Sequence, residues 1–405
     1  MQKHWLTLYA DTFLWLTGSA GLAYNAKNKR QVRFSLTNVI DAKCRQLLET
    51  SNLYSIELTD KEIRNEEINQ WVQLLINIEA GYLSYNVEFE NKPVSLQPIL
   101  KVQDKNEHYE LQHTQGKGGV VLQNLHELSF YINGSEYGSN AYYKQHIFPV
   151  KDRKVLDNSR ILSFIKNSRN PFLCNINIIG NLFLYPDFEQ FFVDISNFSI
   201  QCTIHIMTQD LLDNIKQFKA INWPEHIQFN VLVDSVFDVA LLQDISAPFS
   251  ITAFVVSENE YVVFSNLFES LSIAQEIQMI PLYNGENIRF FESCVFTDKD
   301  EIEHIELSKN EIFMRQSLNI GNFGKLTVMP DGNVYDNVNA SPLGTINDSP
   351  YSLVYKEFIE NRSWFRIREQ APCSDCIYQW LCPSPTNYEM AIGRNNLCHV
   401  KESPK

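Results

Sequence analysis

Residues 371–398 read APCSDCIYQWLCPSPTNYEMAIGRNNLC and crowd Cys373, Cys376, Cys382 and Cys398 into one short stretch. The other cysteines, Cys44, Cys174, Cys202 and Cys294, are scattered through the preceding chain. A Cys-x2-Cys pair lets two thiolates grip one metal from a tight loop, and two more close a four-sulfur set. Zinc and a [4Fe–4S] cluster both accept four thiolates, so ligand count does not separate them. Disulfides are the third reading. The segment MQKHWLTLYADTFLWLTGSAGLAYN lacks a basic stretch followed by an unbroken apolar run, so no signal peptide is expected. A cytoplasmic setting follows as the default, and there clustered thiols are more often metal ligands than disulfides. Cys174 and Cys202 stand in apolar runs and read as small buried side chains.

Composition narrows the classes. The chain has 405 residues, 44% hydrophobic and 20% charged, enough for two or three packed domains. A net charge of -14 argues against a nucleic-acid binder. The apolar runs are too short for a membrane span.

Upstream of the thiols, GKLTVMPDGNVYD (324–336) predicts a hairpin turning at Asp331-Gly332, and YSLVYKEFIENRSWF (351–365) predicts a helix. Between about 122 and 305, apolar runs alternate with amphipathic stretches: HELSFYING, PFLCNINIIG, SIQCTIHIM, IQFNVLV, FSITAFVV and AQEIQMIPL. That alternation predicts βα units and a parallel sheet buried on both faces, with too few strands for an eight-stranded barrel. The fold class expected is therefore α/β, an open partial barrel. Residues 86–121 read as a linker with a short strand at QPILKVQ and a turn at GKGG. Residues 1–85 read as a three-stranded meander (DTFLWLT, GLAYN, QVRFSLT) feeding two helices. The first helix has Asn38 as its expected N-cap, and the second runs from about 60 to a stop at Gly81.

An open βα barrel followed by VMPDGNVYDN, LGTINDSP, a helix and Cys-x2-Cys-x5-Cys resembles a radical SAM protein with a C-terminal SPASM domain. The resemblance implies two auxiliary [4Fe–4S] clusters held by seven cysteines. Three of those positions differ here: Asn337 and Thr386 replace two cysteines, and RQSLNIGNFGK (315–325) lacks the third. All three belong to the first auxiliary cluster, whereas Cys373, Cys376, Cys382 and Cys398 match the complete set of the second. One retained [4Fe–4S] cluster is expected, with zinc as the alternative.

The catalytic end departs further. The family places Cys-x3-Cys-x2-Cys after the first barrel strand, where SAM is bound and cleaved. Here LHELSFYINGS is followed by EYGSNAYYKQHIFP, which holds no cysteine. The Gly-Gly-Glu-Pro motif expected after the second strand falls on IIGNLFLYPDF, without a glutamate. No SAM binding is expected.

The combination resembles the pseudo-radical SAM proteins of Bacteroidales-type ribosomal peptide maturation systems, which carry a Gly-Gly leader precursor and a true radical SAM maturase. The resemblance implies a winged-helix peptide-recognition element at 1–85, a linker at 86–121, a degenerate (βα)6-type barrel at 122–305 and a SPASM-like domain at 306–405. Arg33, Phe34 and Ser35 on the third strand, with Trp71 and Leu75 on the last helix, would then flank a leader added as a strand. Two other readings stand beside it. One is a zinc-stapled structural protein. The other is an enzyme of another class, drawing on strand-end groups such as His205, Asp234 or Glu258.

Overall fold

The computed structural model describes residues 3–85, 92–100, 119–236, 242, 249–270 and 276–400. The chain opens with β1 (Lys3–Leu8), a strand absent from the sequence-based expectations. The meander follows as expected: β2 (Thr12–Thr17), β3 (Ala20–Asn25) and β4 (Arg30–Ser35), antiparallel in that order. β1 instead pairs on both sides, with β5 (Ser55–Thr59) and β6 (Gly81–Tyr85), to make a second three-stranded sheet.

Three local expectations change. Thr37, not Asn38, caps helix Asn38–Leu48, its hydroxyl accepting from the Ile40 amide. The long second helix is broken: a short turn at Asp60–Ile63 precedes helix Glu66–Asn77, restarted by the Asn65 side-chain cap. Gly81 opens β6 instead of ending a helix, because a Cβ there would lie 2.4 Å from the Thr7 carbonyl. In the linker, Gln97–Leu100 form no strand, and the rest of QPILKVQ lies outside the described residues. Most of GKGG also lies outside them, and Gly119 starts helix Gly119–Leu122.

All six alternating apolar runs become strands: β7 (Glu127–Tyr131), β8 (Asn175–Ile179), β9 (Gln201–Met207), β10 (Ile227–Val233), β11 (Phe249–Val255) and β12 (Ile277–Pro281). They lie side by side in chain order and all parallel. The architecture is mixed α/β around a mostly parallel sheet. One face carries Phe130, Ile178, Ile204, Val231 and Ala253 against helices such as Asn158–Ser168 and Phe188–Ser196. The other face is not apolar throughout. Ser129, Asn177, His205, Asn230 and Thr252 form a hydrogen-bonded row across five strands, with spacings of 3.0–3.2 Å. A polar row is tolerated there because each member is satisfied by its neighbour.

The hairpin forms as expected from β13 (Lys325–Val328) and β14 (Asn333–Tyr335), with Gly332 at φ +85°. β13 pairs in parallel with β7, so the hairpin and the two-residue β15 (Gly344–Thr345) extend the same sheet to nine strands. Helix Pro350–Glu360 joins the same core through Leu353, Val354 and Phe358. Among the described residues, no helix is long and apolar enough to cross a membrane.

Behind that helix lies a buried acid pair. Glu357 accepts from the Trp364 amide at 2.7 Å, Asp336 accepts from the Ser363 amide at 3.1 Å, and Arg362 bonds Asp336 at 3.1 Å. Burial, with Asp336 beside it, pushes Glu357 up from 4.5 to about 8. The folded chain therefore holds this proton more tightly than the unfolded chain. Its stabilising contribution is complete below about 4.5 and is lost as pH rises towards about 8. Glu357→Gln should flatten that decline in urea-denaturation midpoints measured across the window; an unchanged slope would contradict the assignment.

Candidate metal centre and peptide edge

Cys373 and Cys376 sit on one tight turn, where the Cys376 amide bonds the Cys373 carbonyl at 3.0 Å. Cys382 ends the next turn, its amide 3.1 Å from the Tyr378 carbonyl. Cys398 arrives from further along the chain in an isolated bridge with Thr297. The Thr297 and His399 amides secure it, bonding Leu397 and Thr297 carbonyls at 3.0 and 3.1 Å. The four side chains line one cavity, and none is in a disulfide. Among the described residues, no three His, Cys, Asp or Glu side chains are already set to hold a metal ion. The donor chemistry nonetheless fits a four-thiolate centre: four cysteines, none in a disulfide, face one space, with apolar Ile302, Leu397 and Val400 around them.

Polar contacts converge on the sulfurs. Arg368 reaches Cys373 Sγ at 3.6 Å and bonds Glu389 at 2.9 Å, and Asn396 Nδ2 lies 3.1 Å from Cys398 Sγ. Burial pushes the Cys382 thiol up to about 12 despite the pull of Arg368, and it raises Cys373 in the same way. Of the remaining cysteines, Cys44 and Cys202 are buried in the cores, whereas Cys174 is exposed at the start of β8, against expectation. Arg368 and Glu389 were not legible as site residues, since a buried arginine has no spacing signature.

After β7, residues 132–150 fold back over the carboxyl end of the sheet. Phe148 packs on Met207, Leu232, Phe254 and Leu282, while Val150 packs with Tyr131 and Ile179. Gln145 exchanges two hydrogen bonds with the Tyr283 backbone, at 2.7 and 2.8 Å. His146 Nε2 meets the Tyr388 hydroxyl at 2.5 Å, one residue before Glu389. Of the strand-end groups, His205 is clamped between Asn177 and Asn230, and burial lowers it to about 4. It is a neutral member of the polar row. Asp234 follows β10 in an exposed position, and Glu258 opens helix Glu258–Ser270, so the three do not converge.

The expected peptide-binding residues divide. Phe34, Trp71 and Leu75 are buried together in the N-terminal core, with the Phe34 and Trp71 rings 6.2 Å apart. Arg33 and Ser35 are exposed. The Leu36 amide bonds the Ser19 carbonyl across the hairpin. Antiparallel alternation then turns the amides of Gln31, Arg33 and Ser35 away from β3. No strand pairs with that side of β4 among the described residues. The far face of the meander, through Phe13, Leu22 and Tyr24, packs on Ile302, Leu307, Cys376, Tyr378 and Leu381 beside the thiols.

No family profile matches the chain, and no curated protein matches it in sequence. Among solved structures it is similar to Streptococcus suis SuiB bound to precursor peptide SuiA, at 11% identity and a TM-score of 0.46, covering 93% of this chain and 94% of that one. It is similar also to SuiB bound to S-adenosylmethionine, at 12% identity and a TM-score of 0.40, again over 93% and 94% of the two chains.

Cys376→Ala should lose stoichiometric metal and loosen the C-terminal segment, because four-thiolate binding in small units is itself a folding contribution. Metal analysis with limited proteolysis of anaerobically purified protein checks this, and full metal content in the variant would refute the ligand assignment.

Proposed function

We propose that the chain is a non-catalytic partner in the maturation of a ribosomally made peptide. In this reading, residues 1–85 are a winged-helix recognition element, 86–121 a linker, 122–305 a degenerate partial barrel and 306–405 a SPASM-like unit. The backbone edge of β4 takes a Gly-Gly leader as an added strand, and a true radical SAM maturase is the protein partner. Cys373, Cys376, Cys382 and Cys398 hold one [4Fe–4S] cluster, and no SAM is bound. A bound cluster would supply one-electron chemistry or a structural cross-link. Zinc on the same thiolates is the alternative.

The observation that carries the reading is the segment after β7. It has no cysteine, and its side chains fill the sheet's mouth with Phe148, Val150 and the Gln145–Tyr283 pair. Ligands of open α/β sheets bind outside the carboxyl ends of the strands. Packing there with the chain's own residues argues against SAM chemistry on this chain and shifts attention to the β4 edge.

Anaerobic incubation with SAM and a reductant should give no 5′-deoxyadenosine above background; clear turnover would overturn the non-catalytic role. Iron, sulfide and zinc analysis separates the cluster from zinc. For the edge, Ser35→Pro removes an outward amide without touching the β3 ladder. It should weaken binding of a labelled synthetic leader peptide by about ten-fold, the loss of one to two strand hydrogen bonds. Unchanged anisotropy titrations would argue against strand addition.

A further inference from the structure

Arg368 lines the four-thiol cavity, Arg315 and Arg366 stand within electrostatic reach of Arg368, and one buried carboxylate answers the group. The Arg368 side chain is only 10% exposed, and that of Glu389 only 1%. Arg368 bonds Glu389 at 2.9 Å, while Arg366 stands 3.9 Å from the other oxygen of the same carboxylate. Arg315 is half-buried, and Glu311, one turn earlier on the same helix, acts on it from beyond ion-pair range. Two of these guanidiniums also grip the backbone. Arg315 donates to the Leu381 carbonyl, and Arg368 Nε donates to the Pro383 carbonyl. Those two carbonyls flank Cys382. Arg368 extends a second arm to Cys373 Sγ at 3.6 Å.

Arginine stays charged in a protein, so burial does not silence these groups. An excess of buried positive charge is costly unless negative charge stands beside it. Four neutral thiols leave the excess unanswered. Four thiolates around a zinc ion, or around an oxidised [4Fe–4S] core, sum to a dianion and answer it. The planar fork also explains why arginine is used, since one side chain meets a carbonyl, a sulfur and a carboxylate at once.

We infer that Arg315 and Arg368 are the positioning residues of the four-thiolate centre, clamping the loop around Cys382 and offsetting the centre's negative charge. The inference rests on the reading that these four cysteines hold a metal group. The clamp and the charge have separable consequences. Arg368→Lys keeps the charge but loses the fork, Arg315→Gln keeps a donor but loses the charge, and Arg368→Ala loses both.

The test loads wild type and the three variants anaerobically with ferrous iron and sulfide, and separately with zinc. Two readouts follow: the rate of metal release to a chelator, and the midpoint potential of the iron-loaded protein. Release should quicken by about 10–100-fold in Arg368→Ala and by less in the other two, as for outer-shell partners elsewhere. The potential should fall in Arg368→Ala and Arg315→Gln but stay near wild type in Arg368→Lys, because removing a cation disfavours the added electron. Unchanged release and potential in both Arg368→Ala and Arg315→Gln would overturn the assignment. So would equal potential shifts in Arg368→Lys and Arg368→Ala, which would mark a merely structural role. If circular dichroism shows that Arg368→Ala does not fold, the other two variants decide. If zinc alone loads, release alone decides. A wild type that takes up neither metal would sink the four-thiolate reading itself, whatever the arginine variants do.

Discussion

Strands β2 and β3 bury both of their faces, and the rest of the molecule is arranged around that fact. Period-two alternation sends Leu14, Ala23 and Phe34 into the N-terminal core and Phe13, Leu22 and Tyr24 against the thiol segment. Each large side chain taken from water contributes on the order of 1.5–3 kcal/mol, so the meander joins two cores tightly. Polar contacts then fix the register of that joint. The Tyr24 hydroxyl bonds the Leu307 carbonyl at 2.9 Å, and Gln31 Nε2 bonds the Ile302 and Glu303 carbonyls at 3.0 and 2.7 Å. β4 closes the sheet on one side, burying Phe34 in the core and leaving Arg33, Ser35 and its outer backbone edge exposed. The proposed peptide site is thus an edge of one small sheet, and the proposed metal site lies against its far face.

The parallel sheet solves a different problem. Its helix-covered face is a conventional apolar core, but its inner face carries the row from Ser129 to Thr252. Residues 132–150 pack on the next layer of that face, at Tyr131, Ile179, Met207, Leu232 and Phe254. The cover is pinned from three directions: to β9–β12 through Phe148, to the Tyr283 backbone through Gln145, and to the C-terminal segment through His146 and Tyr388. Opening the mouth for a substrate would break all three together. The cover is part of the core, not a lid.

The parts of this fold legible in the sequence were those with an uninterrupted signal. The six parallel strands announce themselves because both faces are buried, which leaves near-continuous apolar runs. The hairpin announces itself through Asp331-Gly332. β1 and β6 did not, because HWLTL mixes polar and apolar residues and GYLSY follows a helix with no turn residue but its own glycine. Trp71 and Leu75 were legible as a helical stripe, and an apolar stripe faces the core, where here it packs with Phe34. The cysteines were visible by spacing alone. The arginines around them were not, since Arg315 and Arg368 reach the loop through backbone carbonyls that any sequence would supply.

This last asymmetry bears on why a metal site would persist in a chain whose sheet mouth is closed. A metal on the four thiols would join the Cys373–Cys382 turns, the segment at Cys398 and, through its bridge, Thr297 beyond helix Ile288–Cys294. These segments have few ladder hydrogen bonds with one another, and regular secondary structure does not bind them together. A cross-link by four thiolates constrains just such segments, in the way that closing loops removes freedom from the unfolded chain. The meander rests directly on those turns through Cys376 and Tyr378. Losing the cross-link would therefore loosen the surface that holds β4 in place, so selection for an intact peptide edge would preserve the thiols even without redox chemistry.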